Sequence, residues 1–208
     1  MLQKLLTRYP SLNACQDSIC AAADALIAQY ENGGKLLICG NGGSCADSDH
    51  IVGELMKGFL KKRPLCDEKK QTMQENCPSL SPAILDKLQG GLPAIALPSI
   101  TALGSAFCND VDPALVYAQS VLALGAKGDT VLCISTSGNA ENVYAAAQVA
   151  KGLGLHVIGL TGAKGGKLKE IADICICVPE TETFMVQELH LPVYHYLCAA
   201  VEEHFFKV

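Results

Sequence analysis

The chain has 208 residues, half of them apolar, and a formal net charge of −5. That length suits one domain with a substantial core, and an acidic balance with no clustered basic patch excludes general nucleic-acid binding. No uninterrupted apolar stretch approaches the roughly 20 residues needed to cross a bilayer, so no membrane span is expected.

Residues 1–9 predict a short helix stopped by Pro10. From Leu12 to Tyr30, the residues Ile19, Ala22, Ala23, Leu26 and Ile27 recur at helical spacing, and Asn32-Gly33-Gly34 ends the pattern. An apolar run, Lys35 to Cys39, then enters Gly40-Asn41-Gly42-Gly43-Ser44 and continues as a helical pattern from Cys45 to Leu60. Residues 61–92 interrupt the scheme. They are polar, contain Pro64, Pro78 and Pro82, and predict a lid or excursion with a helical turn around Pro82 to Leu88. The basic run Lys61-Lys62-Arg63 at its start is soon balanced by Asp67 and Glu68 and reads as a solvated loop.

Further apolar runs follow at Ala94 to Leu97, Thr130 to Ile134, Val157 to Leu160 and Ile174 to Val178. They are short and show little polar alternation, as expected of strands covered on both faces. Helical patterns at Pro113 to Leu124, Ala140 to Leu153 and Lys167 to Ala172 lie between them. Such alternation implies right-handed crossovers and a parallel sheet sandwiched by helices. A last helix, Thr183 to Phe206, carries apolar residues on more than one face, which suggests burial against another element or subunit. No domain boundary is evident, so the chain reads as one domain, 1–208, with an insertion at about 61–92.

The 11 cysteines are odd in number, and no secretory apolar segment opens the chain. Reduced thiols in the cytoplasm are therefore expected. Cys39, Cys133, Cys175 and Cys177 fall in strand-like runs, where Cys serves as a small buried hydrophobe.

Two strand-to-helix junctions carry the chemistry: Asn41-Gly42-Gly43-Ser44 and Ser135-Thr136-Ser137-Gly138-Asn139. Both belong at the carboxyl ends of parallel strands, where open α/β folds bind ligands. Glycines allow close backbone approach, helix N-termini offer unpaired N–H groups, and hydroxyls donate, so the pair suits a phosphate. No Gly-Lys-Ser/Thr follows either loop and the first lacks the full G-x-G-x-x-G spacing, so a nucleotide is not demanded. Downstream of the first loop, His50 and Glu54 share one helical face a turn apart; Gln187, His190 and His195 lie on the last helix. An imidazole and a carboxylate beside a sugar phosphate are what proton transfer between neighbouring carbons requires.

The strand-GNGGS junction, the D-x-x-H-x-x-x-E segment from Asp47 to Glu54, the Asn109-Asp110 pair, the ISTSGN loop and the QExHxxxxH helix together resemble the phosphoheptose isomerases, sugar isomerase (SIS) domain proteins. The resemblance covers about residues 10–206 apart from the insertion. It implies a three-layer α/β/α sandwich around a five-stranded parallel sheet, flanked by N- and C-terminal helices. It also implies a cytoplasmic homotetramer with active sites at subunit contacts, converting sedoheptulose 7-phosphate to D-glycero-D-manno-heptose 7-phosphate through an enediol, for bacterial ADP-heptose or other nucleotide-activated heptose.

By position, Asn41, Gly42, Gly43 and Ser44 would contact substrate, Ser135, Thr136 and Ser137 would hold the phosphate, and Asn109 and Asp110 would line the sugar. Glu54 would be the base and His195 the acid/base. The resemblance further implies zinc on His50, Glu54, Gln187 and His195, and no nucleotide cofactor. Three positions depart from the family pattern: Ala140 replaces a phosphate-binding hydroxyl, Gly58 an arginine and Phe184 an acidic residue. Other members of the same superfamily act as sugar-phosphate sensors, as scaffolds for a replication initiator, or on other sugar phosphates.

Overall fold

A computed structural model describes residues 1–206. Two helices open the chain, α1 (Leu2–Arg8) and α2 (Gln16–Glu31), separated by a 3-10 turn at Pro10–Cys15. Then come β1 (Leu36–Gly40), α3 (Gly43–Met56), α4 (Asp67–Asn76), α5 (Pro82–Leu85), β2 (Ala94–Ala96), α6 (Thr101–Asp110) and α7 (Val116–Leu124). The remainder alternates: β3 (Thr130–Ile134), α8 (Glu141–Gly152), β4 (His156–Thr161), α9 (Gly166–Ile171), β5 (Ile174–Cys177) and α10 (Thr183–Phe205). No helix among the described residues is long and apolar enough to cross a membrane.

The five strands form one sheet in the order β2-β1-β3-β4-β5, and every pairing is parallel. Strands β1, β3 and β4 are short and buried on both faces, with alternate residues serving opposite layers, whereas the edge strand β5 buries only Ile176 and leaves Cys175 and Cys177, expected as buried hydrophobes, partly exposed. Leu36, Ile38, Leu132, Ile134, Ile158 and Leu160 join a core with α1, α2, α3 and α10. Leu37, Cys39, Val131, Cys133 and Val157 join a second core with α7, α8 and α9. The expected three-layer sandwich is therefore present, and Cys39 and Cys133 are fully buried within it. From β1 the chain steps to β2 on one side, then returns to build β3, β4 and β5 on the other. The gap between the carboxyl ends of β1 and β3 is thus the switch point of the sheet, where ligands enter folds of this kind. In register Gly40 lies opposite Ile134, so the two hydroxyl-bearing loops leave the sheet side by side.

The structure differs from the sequence reading in four elements. Leu12 to Cys15 is a 3-10 turn, and the long helix begins only at Gln16. Helix α3 starts at Gly43 and ends at Met56, short of the expected Leu60. It stops because the carbonyl of Leu55 is taken by the backbone N–H of Leu92 at 3.0 Å and the Arg63 guanidinium at 2.7 Å. Two helices were not anticipated. Neither α4 nor α6 buries a residue, so neither is shaped by core packing in this chain.

Candidate active site

Both strand-to-helix loops open onto one cavity of about 360 Å³. Asn41, Gly42, Gly43 and Ser44 line one wall, Ser135, Thr136, Ser137 and Ala140 another, with Gln187 completing the rim. Helices α3 and α8 both begin here without a side-chain cap, so their partial positive N-termini face the same space. Ala140 gives this wall no hydroxyl and stands at the N-terminus of α8. Gly43 lies close to α10: a Cβ there would displace the terminal amide of Gln187. Gly138, at φ +68°, lies against the Gly165 carbonyl, which leaves no room for a Cβ.

The two loops are joined directly by side chains. Asn41 and Asn142 exchange amide hydrogen bonds at 2.8 and 3.0 Å, and the Tyr117 hydroxyl lies 2.9 Å from the Gly40 carbonyl and 3.2 Å from Asn41 Oδ1. Tyr117 and Asn142 were not singled out from sequence, since neither falls in a glycine or hydroxyl motif. Only the fold reveals them.

The titratable groups gather further along α3 and α10. His50 Nε2 lies 3.1 Å from Glu54 Oε1 and 3.5 Å from His195 Nε2, while Lys57 Nζ approaches the other Glu54 oxygen at 3.3 Å. The other ring nitrogen of His50 meets the Tyr194 hydroxyl at 3.0 Å, and that hydroxyl donates to Asp47 Oδ1 at 3.1 Å. Because Tyr194 has one proton and gives it to the carboxylate, it accepts from His50 Nδ1–H. Burial, assisted by His50, pushes the His195 imidazole below its ordinary pKa, with Glu54 opposing the shift. Helices α3 and α10 run in the same direction, as three levels of contact establish: Gly43 with Gln187, His50 with Tyr194 and His195, and Leu55 with Glu202 through Arg63.

Of the residues expected to act, the structure thus brings the two loops and Gln187 together, and separately His50, Glu54 and His195. Asn109 and Asp110 stand apart: they are exposed at the end of α6, bonded to each other at 2.8 Å, and absent from the cavity lining. A larger groove of about 400 Å³, lined by Leu5, Tyr9, Phe59, Leu191 and His195 among others, lies between α1 and α10. It has no hydroxyl-bearing strand-to-helix loop.

As for zinc, no cluster of three or more His, Cys, Asp or Glu among the described residues is closed into a ready-made metal site. The donor chemistry nevertheless fits. The 3.1 and 3.5 Å spacings around His50 Nε2 are near the roughly 3.3 Å edge of a tetrahedral zinc sphere. Gln187 instead turns toward Gly43, about two helical turns from His195.

Comparison with known proteins agrees with this arrangement. SIS domain families match residues 4–91 and 100–201. A phosphoheptose isomerase from Roseiflexus sp. is 39% identical over 91% of this chain and 83% of its own. Among solved structures, a phosphoheptose isomerase from Francisella tularensis aligns with a TM-score of 0.77 at 32% identity, covering 94% of this chain and 91% of that one. Another, from Neisseria gonorrhoeae, aligns at 0.72 and 30% identity over 98% of this chain and 100% of that one. The chain therefore belongs to the SIS-domain proteins, and within them to the phosphoheptose isomerase family of enzymes.

Proposed function

We propose that the protein interconverts a seven-carbon ketose phosphate and its aldose, sedoheptulose 7-phosphate and D-glycero-D-manno-heptose 7-phosphate. The observation that carries this reading is the arrangement of α3 and α10. Helix α3 begins, and α10 places Gln187, at a hydroxyl-lined cavity completed by the loop after β3, and further along the same two helices stand a carboxylate and two imidazoles. Phosphate would sit across Ser44, Ser135, Thr136 and Ser137 at the two helix N-termini, and the carbonyl end would extend toward Glu54 and His195.

In the ketose-to-aldose direction Glu54 takes a proton from C1 while His195 gives one to the C2 oxygen, forming the enediol. Glu54 then returns its proton to C2 as His195 removes the O1 proton, leaving the carbonyl at C1. Both groups end as they began, so protons balance over the cycle.

Zinc belongs to the same proposal, held by His50, Glu54 and His195, with Gln187 as the fourth donor. Bound there it would polarise a substrate oxygen as a Lewis acid. The proposal also takes in a homotetramer in the cytoplasm, serving heptose synthesis for nucleotide-activated sugars and lipopolysaccharide. Incubation with sedoheptulose 7-phosphate is the direct test, and an aldose product is expected. Tight sugar-phosphate binding without turnover, with or without added Zn²⁺, would replace the enzyme with a sensor.

A further inference from the structure

The excursion between α3 and β2 is rooted at the end of the helix that carries Glu54. There, Arg63 is buried to 1% exposure and every face of its guanidinium is used. Nη1 donates to the Leu55 carbonyl at 2.7 Å, Nη2 to the Glu54 carbonyl at 3.0 Å, and Nε to Glu202 Oε1 at 2.8 Å. The group also lies 4.5 Å from the centre of the Phe206 ring. Glu202, on α10 and equally buried, accepts the N–H groups of Phe59 and Leu60 at 2.8 Å each and of Lys61 at 3.2 Å. Arg63 is itself fixed, because its carbonyl accepts from the Gly90 N–H at 2.7 Å on the returning leg of the excursion.

The last carbonyls of a helix have no partner within it, and the last turn is the first to fray. Glu54 sits on that last turn, and its carboxylate is otherwise held only by His50 and an exposed lysine. Stability alone is a weak explanation for the ion pair, since replacing a buried pair by apolar residues often costs nothing. Its directed bonds do something an apolar plug would not. They set the end of α3 at one angle against α10.

We infer that Arg63 is a positioning residue: locked by Glu202, it holds Glu54 in register with His195, which lies two turns before Glu202 on the same helix. This rests on the isomerase reading for its catalytic meaning. It assigns a task to the root of the excursion, residues 58–65 and 89–92, and none to its exposed tip.

The test is Arg63→Lys, which keeps the charge but loses the fork. After its fold is checked by circular dichroism and melting, kcat is expected to fall about 10- to 100-fold while KM stays within about twofold, because a misplacement near 1 Å acts on chemistry and not on phosphate binding. Should Arg63→Lys fail to fold, Glu202→Gln is measured for the same split. A folded variant with normal kcat, or one that loses kcat and KM together, overturns the inference. Crystallography of the variant reads the positioning without turnover: the 3.1 Å approach of His50 to Glu54 is expected to open. A wild-type protein that turns over no sugar phosphate, paired with a variant in which that approach opens, sinks the isomerase reading and leaves the clamp standing; an unchanged approach sinks the clamp.

Discussion

His190 lies on α10 between Gln187 and His195, yet it faces the core and is fully buried, with the Thr161 backbone nearby. Burial pushes its pKa down to about 4, against about 6.5 in an unfolded chain. The folded protein thus binds fewer protons than the unfolded one, and stability falls as pH drops. The contribution is complete above about pH 6.5 and is lost progressively down to about pH 4, an effect on the order of 3 kcal/mol. Melting temperature followed across that window should fall more steeply for the native protein than for His190→Leu. Two substitutions address the proposed chemistry. Glu54→Gln keeps the shape and removes the base, so kcat should drop by about 10²- to 10⁴-fold. Thr136→Ala removes a donor to an anion, worth about 1.5–3 kcal/mol, and should appear in KM by about tenfold or more. Steady-state kinetics on both variants separates the two roles.

At the level of elements, burial decides what a substitution costs. Leu132, in the middle of β3 and 1% exposed, packs against helices α2 and α10. Leu132→Ala is expected to cost about 2–5 kcal/mol, read from urea denaturation. Polar substitutions on α4, which buries nothing, should stay within about 0.5 kcal/mol in the same assay. The same contrast explains what the sequence disclosed. Strands β1, β3 and β4 were legible because both their faces are buried, so they read as unbroken apolar runs flanked by glycine. The two loops were legible because hydroxyls and glycines concentrate there. Helix α4 was not, because a helix with no core face leaves no apolar period. Nor was the contact of Arg63 with Glu202, since nothing local marks residues 139 apart as partners. Arg63 in fact looked like part of a solvated basic run, and only folding around it makes it the most enclosed cation of the three.

For the molecule as a whole, Leu60, Phe184, Met185 and Leu191 are 62%, 58%, 38% and 40% exposed. Residues of this size on α10 and beside it suit contact with further copies of the chain. If the proposed tetramer forms through them, Leu191→Glu should shift the mass seen by light scattering toward smaller species. The matched course of α3 and α10 has one more consequence. From Gly43 to His50 is seven residues, or about 10 Å along the axis, so under the proposed function the site would work as a caliper with one fixed jaw for the anion and one for the reacting carbons. A fully extended sugar with seven carbons and a terminal phosphate, built from bonds of about 1.5 Å, spans roughly that gap. A pentulose phosphate seated in the same hydroxyl loops would end short of the acid and base, and would occupy the enzyme as an inhibitor while remaining unchanged.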